Sequence, residues 1–248
     1  MYEQFAGIYD ELMQEIPYEQ WFHKIQNYLC ENGVPEGTIC ELGCGTGTMT
    51  ELLAGAGYQM IGVDMAEDML AIAWQKREES GHEILYLHQD MTELALAEPV
   101  EVMLSICDSM NYLTDETSLD KVLANVRKYL VNDGLFIFDL KTEYCFREVM
   151  GNTARVEETE EALCIWDNYY DETERINEYA VTIFQKCESS ALYERFDELH
   201  CQRAYSLEEI RTHLKDNGFK VVECLDGTWE HTPDETSERI TMIVRKMG

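Results

Sequence analysis

From residue 39 to 48 the chain reads Ile-Cys-Glu-Leu-Gly-Cys-Gly-Thr-Gly-Thr, which places Glu41 just before three alternating glycines, Gly43, Gly45 and Gly47. Glycines so spaced let a strand turn sharply into a helix and let a ligand approach the backbone without meeting a Cβ atom. Two more carboxylates follow at the ends of apolar runs: Asp64 after Met60-Ile61-Gly62-Val63, and Asp90 in His88-Gln89-Asp90-Met91. A carboxylate at the end of the second strand of such a unit can accept both hydroxyls of a ribose. A dinucleotide fingerprint would need its last glycine at 48, where Thr48 stands, so nicotinamide-dependent hydride transfer is disfavoured.

These residues need strands that end together and helices that cover them. Strand-type and helix-type runs alternate through the first 140 residues, which predicts a parallel sheet with covering helices. The pattern places strands at Thr38–Leu42, Gln59–Asp64, Ile84–Gln89, Val100–Cys107 and Gly134–Leu140, and helices at Thr46–Ala56, Ala66–Glu79 and Glu116–Leu130. Ahead of them, Phe5–Asn32 carries Trp21, Ile25 and Leu29 at helical spacing and predicts an amphipathic helix ending near Gly33. Residues 143–200 break the rhythm with alternating β-type stretches such as Tyr179–Phe184, as expected of an antiparallel, half-exposed insertion. The parallel rhythm returns at Ser206-Leu207-Glu208-Glu209, a capping box, followed by strands at Lys220–Leu225 and Ile240–Arg245.

The order of acid, glycine loop, acid and Asp-Met over three successive strands resembles the class I S-adenosylmethionine-dependent methyltransferases. Phe5–Asp10, Val63–Leu70 and Ser109–Tyr112 look like the small-molecule members, including amino-sugar N-methyltransferases. The resemblance implies an α/β fold with a doubly wound, mostly parallel seven-stranded sheet. An antiparallel β insertion after strand five would make a core of 1–142 and 201–248 with a substrate lid at 143–200. It also implies S-adenosyl-L-methionine as cofactor and a role for each matching residue. Gly43, Cys44, Gly45 and Gly47 would shape the loop under the methionine part, and Glu41 would orient that loop or meet the ammonium group. Asp64 would hold the ribose diol, with Met65 against the adenine. Asp90 and the Met91 N–H would meet the adenine edge, and Cys107 would offer its backbone carbonyl to the ammonium. Tyr9 and Trp21 would close the site from the amino-terminal segment.

Methyl transfer from a sulfonium is an in-line displacement, so alignment can supply about 7–11 kcal/mol of the barrier and no covalent nucleophile is required. Cys44 and Cys107 are accordingly expected to contribute backbone rather than thiolates, because no cation stands beside either in the sequence. On the acceptor side, Asp108, Asn111 and Tyr112 follow the fourth strand, where a topological switch opens the crevice. The insertion adds Tyr144, Trp166, Tyr169, Tyr170 and His200 as candidate lid residues. Asp108, Tyr112 and His200 are the candidates for proton transfer.

Composition narrows the acceptor. Of 248 residues, 49 are acidic and 19 basic, a formal charge of −30 that repels a phosphate backbone and disfavours nucleic acid. Cationic or neutral acceptors are favoured, with an amine ahead of a hydroxyl. Alternatives are an RNA or protein methyltransferase, for which Cys107-Asp108-Ser109-Met110 lacks the Asn-Pro-Pro-Tyr pattern of many RNA enzymes, and a non-catalytic cofactor-binding protein. Nine cysteines without a C-x-x-C pair and six scattered histidines suggest neither a disulfide framework nor a metal site. No apolar run approaches the roughly 18 residues of a membrane span, and Met1–Phe5 carries no basic leader, so a cytoplasmic monomer or homodimer is expected.

Overall fold

The computed structural model describes residues 6–13, 16–160, 162–187 and 192–248; Phe5 of the amino-terminal motif lies outside them. Five parallel strands form the centre of the main sheet. Its strands are β1 (Thr38–Leu42), β2 (Gln59–Asp64), β3 (Ile84–His88), β4 (Val100–Ser105) and β5 (Leu130–Lys141), joined by two later strands, β10 (Phe219–Asp226) and β11 (Arg239–Lys246). The spatial order is β10-β11-β5-β4-β1-β2-β3, with β11 antiparallel to both β5 and β10. The order therefore reverses between β1 and β4, and a crevice opens beyond their carboxyl ends.

Both faces of this sheet are covered, which explains its near-continuous apolar strands. Successive residues of β5 serve opposite layers: Phe136 and Phe138 pack with Val122 and Val126 of α5 (Glu116–Tyr129) and Leu214 of α6 (Leu207–Asp216). Leu135 and Ile137 pack instead with Ile25 and Leu29 of α2 (Tyr18–Glu31), Leu53 of α3 (Thr48–Gly55) and Leu70 of α4 (Glu67–Ser80). The capping box at Ser206 and Glu209 forms in both directions.

Two expectations shift. The single amino-terminal helix is two, α1 (Ala6–Leu12) and α2, because Pro17 stands directly before α2 and its ring bars helical backbone at the residue before it. β5 begins at Leu130 rather than Gly134, since Leu130 already pairs with Val100 ahead of a register shift. The second sheet is antiparallel in the order β6 (Ala154–Glu158), β7 (Ala162–Asp171), β8 (Ile176–Lys186), β9 (Tyr193–Arg203). β9 runs three residues past 200, so Cys201, Gln202 and Arg203 belong to this sheet.

Candidate functional site

The glycine loop leaves β1 after Leu42 and enters α3 at Thr48, with all three glycines at positive φ (+71, +53 and +77). A Cβ on Gly43 would come within 2.6 Å of the Ser109 hydroxyl, so no larger residue fits. Gly45 differs: a Cβ there would meet nothing within 4 Å, because the residue borders an open cavity of about 330 Å³. Glu41, Gly43, Cys44, Gly45 and Asp64 form one wall of that cavity. Met65, Asp90 and Met91 border it from just beyond the ends of β2 and β3, and Tyr9, Cys107 and Tyr112 also line it.

Two expected members stand elsewhere. Gly47 does not line the cavity; it sits at the amino end of α3, facing Tyr86. Trp21 is buried in the core with Ile25 and Leu29, because the apolar stripe of α2 is pressed onto the sheet. Tyr18, one turn earlier on α2, reaches the cavity instead and meets the Trp21 ring edge-on, with ring centroids 5.8 Å apart.

The carboxylates along this wall do structural work as well. Asp64 Oδ2 accepts the Gly45 N–H at 2.8 Å and Oδ1 accepts the Ala66 N–H at 2.8 Å. Burial raises the Asp64 carboxyl above its usual range, against the pull of those backbone donors. Glu41 is fully buried, accepts from the Thr50 hydroxyl, and is pushed up to about 8 by burial. Asp90 Oδ1 accepts the Thr92 N–H at 2.8 Å and caps the short 3-10 turn Met91–Glu93. Above the loop, Lys76 ties α4 to α1, with its Nζ 2.6 Å from Asp10 Oδ2 and 3.1 and 3.0 Å from the Thr46 and Thr48 hydroxyls.

A second cavity of about 350 Å³ adjoins the first, and Tyr9, Cys107 and Tyr112 line both. Asp108, Lys141 and Arg239 contribute from the central sheet; Trp166, Asn168, Tyr179, His200 and Gln202 contribute from the second sheet. Alternation decides which insertion aromatics take part. Trp166 lines the cavity while Tyr169, three residues on, is on the other face and 53% exposed. Tyr170 packs on Phe146 in the insertion's own core, and Tyr144 lines neither cavity. The His200 ring stands 6.1 Å from that of Tyr112, edge to face, with Nε2 3.1 Å from Glu198 Oε2.

Asp108 is engaged on both oxygens. Oδ1 meets Arg239 Nη2 at 2.7 Å, and Oδ2 meets Lys141 Nζ at 3.0 Å and Gln202 Nε2 at 2.7 Å. Burial alone would raise its carboxyl, but the two cations and the amide outweigh it and hold Asp108 down to about 2. A carboxylate so held does not take a proton near neutrality, which corrects the reading of Asp108 as a proton acceptor. Nor does Asp108 add free negative charge to the acceptor side, because Lys141 and Arg239 balance it. Cys107 and Asp108 both carry left-handed backbone, φ +59 and +57, a conformation costing about 1–2 kcal/mol for each non-glycine residue.

Comparison with known proteins places the chain in a family. The family described as "Methyltransferase domain" matches residues 39–134, which hold the loop and all three strand-end acids. A protein of Geobacillus sp. (strain WCH70), named as a candidate methyltransferase, is 34% identical over 246 residues, covering 99% of each chain. The crystal structure of a S-adenosylmethionine-dependent methyltransferase from Clostridium acetobutylicum ATCC 824 superposes with a TM-score of 0.89 at 29% identity, over 100% of this chain and 99% of that one. The chain belongs to the S-adenosylmethionine-dependent methyltransferases. The sugar N-methyltransferase KedS8 from Streptoalloteichus sp. ATCC 53650 shares the fold, with a TM-score of 0.78 at 13% identity over 96% of this chain and 91% of that one.

In this methyltransferase the cysteines at the cavity are thiols. Burial pushes Cys107 up to about 11 and Cys44 well above the usual range. Tyr18, Lys141, Tyr179, Gln202 and Arg239 had no local signal in the sequence, since each is a single polar or aromatic residue outside any motif. Their common location becomes visible only when β5, β9 and β11 are brought together. Among the described residues, no helix is long and apolar enough to cross a membrane.

Proposed function

We propose that this methyltransferase transfers a methyl group from S-adenosylmethionine to a small-molecule amine held in the second cavity, under the β6–β9 sheet acting as a lid. The observation that carries the reading is the pair of adjoining cavities with a shared wall at Tyr9, Cys107 and Tyr112. The second is of a size for a small molecule. The first cavity fits the cofactor: Gly45 leaves open the space a Cβ would fill, and Asp64 and Asp90 each keep acceptor capacity beyond their backbone bonds.

In this reading Gly43, Cys44 and Gly45 lie under the methionine part, with Gly47 shaping the same loop from the end of α3. Asp64 holds the ribose diol and Met65 covers the adenine. Asp90 and the Met91 N–H meet the adenine edge, while Glu41 and the Cys107 carbonyl serve the ammonium group. When bound, the cofactor supplies an electrophilic methyl group on a sulfonium. The protein's contribution is to line up the acceptor across the shared wall and keep water out.

An amine is favoured over a hydroxyl on two grounds. A hydroxyl needs a base, and two of the polar side chains near the shared wall are unsuited to the role: Asp108 is held at about 2 and Tyr179 is pushed up to about 12 by burial, which leaves His200, beside Tyr112, as the candidate base for that alternative. A neutral amine attacks through its own lone pair. Tyr9, Tyr112, Trp166 and Tyr179 also present aromatic surface, which attracts an amine in its cationic form. The shared fold with KedS8, a sugar N-methyltransferase, supports the same class. Incubation with methyl-labelled cofactor and a metabolite extract tests the reading. Label in low-mass amines is expected; label only in RNA or protein rejects it.

A further inference from the structure

Two consecutive residues with side chains, Cys107 and Asp108, adopt left-handed backbone just beyond the end of β4. Such a pair persists only where its surroundings impose it, and here they do so from several sides. From β5, Asp139 Oδ1 accepts the Asp108 N–H at 2.7 Å. From β11, Arg239 forks across the two acids, with Nη1 2.6 Å from Asp139 Oδ2 and Nη2 2.7 Å from Asp108 Oδ1. Its guanidinium carbon stands over the Trp21 ring of α2, 5.2 Å from the centroid. Gln202 ties the same carboxylate to the second sheet at 2.7 Å.

We infer that Arg239 and Asp139 are positioning residues for cofactor binding, holding the Cys107–Asp108 turn in the left-handed form that sets Cys107 on the wall between the two cavities. Asp139 fixes the peptide N–H, Arg239 fixes the side chain, and Arg239 locks the two acids to each other. Neither Arg239 nor Asp139 lines the first cavity, so their effect on cofactor affinity is indirect; Arg239 also touches Trp21, which packs on the cavity residue Tyr18, and rescue by a substitution at Cys107 is what distinguishes the turn from that route. A turn relaxed to negative φ would rotate the peptide joining 107 to 108 and change what the shared wall presents. The inference rests on the assignment of the first cavity to the cofactor.

Glycine adopts positive φ without a side-chain penalty, which supplies a specific rescue. Calorimetry with S-adenosylhomocysteine, run beside thermal melts, compares wild type, Arg239→Ala and the double variant Arg239→Ala/Cys107→Gly. The single variant is expected to bind at least tenfold more weakly. The double variant is expected to return to within about threefold of wild type while its melting temperature stays low, since the ion pairs remain broken. An Arg239→Ala variant that folds and binds within twofold of wild type overturns the inference, as does a double variant no better than the single. Should Arg239→Ala fail to fold, Asp139→Asn with and without Cys107→Gly carries the same comparison and the same outcomes. Absence of binding by the wild type overturns the cofactor assignment and the positioning role together; binding by the wild type with indifferent variants overturns only the positioning role.

Discussion

Asp64 accepts the backbone N–H of Gly45 at 2.8 Å, so the acid closing β2 braces the glycine loop that leaves β1. The same carboxylate lines the first cavity, proposed above to hold the cofactor. Its removal therefore has two consequences, loss of an acceptor and loosening of the loop. Asp64→Ala is expected to weaken binding of S-adenosylhomocysteine by about 1.5–3 kcal/mol, the range for hydrogen bonds involving a charged group. Asp64→Asn keeps an acceptor oxygen and should lose less. Unchanged affinity in Asp64→Ala by calorimetry would remove Asp64 from the site.

Glu41 makes the protein's stability depend on pH in a defined direction. Its carboxyl titrates near 4.5 when unfolded and is pushed up to about 8 in the fold by burial. Between those values the native state holds a proton that the unfolded state has released, so this group's contribution falls as pH rises from about 4.5 to about 8 and is level above. Glu41→Gln should flatten that part of the stability profile in denaturant titrations. A cationic ammonium beside Glu41 favours its ionised form. Cofactor binding at pH 7 should then release up to about one proton, read as binding heats that differ between buffers of unlike ionisation enthalpy. Equal heats in all buffers for the wild type, or the same release in Glu41→Gln, would count against this role.

The sequence showed the strand-end acids because glycine spacing and strand ends are local signals: Glu41, Asp64 and Asp90 each stand where an apolar run stops. The seven-stranded sheet was legible for the same reason, through alternating periodicities. What stayed hidden depends on register or on contacts distant in sequence. Trp21 and Tyr18 share one helix, and only the packing angle of α2 on the sheet decides which reaches the cavity. Arg239 lies 131 residues from Asp108, with which it pairs. Asp108 itself was read as a candidate base because nothing nearby in sequence discloses the two cations that hold it ionised.

The two faces of the second sheet give a paired prediction. Trp166 faces the second cavity and Tyr169 faces away from it. Trp166→Ala should therefore change acceptor KM or kcat by about tenfold, an effect expected where a positioning aromatic is lost, while cofactor affinity is retained. Tyr169→Ala should alter neither. Steady-state kinetics on any acceptor found by the labelling screen checks both, and equal effects of the two variants would remove the sheet from the acceptor site.

Asp108 offers the clearest separation of a structural charge from a proton carrier. Its carboxyl is held at about 2 against an ordinary 3.8, so the stability it contributes is present above 3.8 and is lost as pH falls through 2. Asp108→Asn keeps the shape but removes the charge that Arg239 and Lys141 face, leaving them only Asp139 within reach of Arg239. Breaking one partner out of a buried pair typically costs about 3–5 kcal/mol, and denaturant melts at pH 7 should show a loss of that order. The steepness of acid unfolding between about pH 4 and 2 should lessen as well. In kinetics, Asp108→Asn should lower kcat through the displaced turn yet leave the midpoint of the pH–rate profile in place, because in the proposed reaction the proton that departs belongs to an acceptor amine. A midpoint that moved with this substitution would return Asp108 to the role of base.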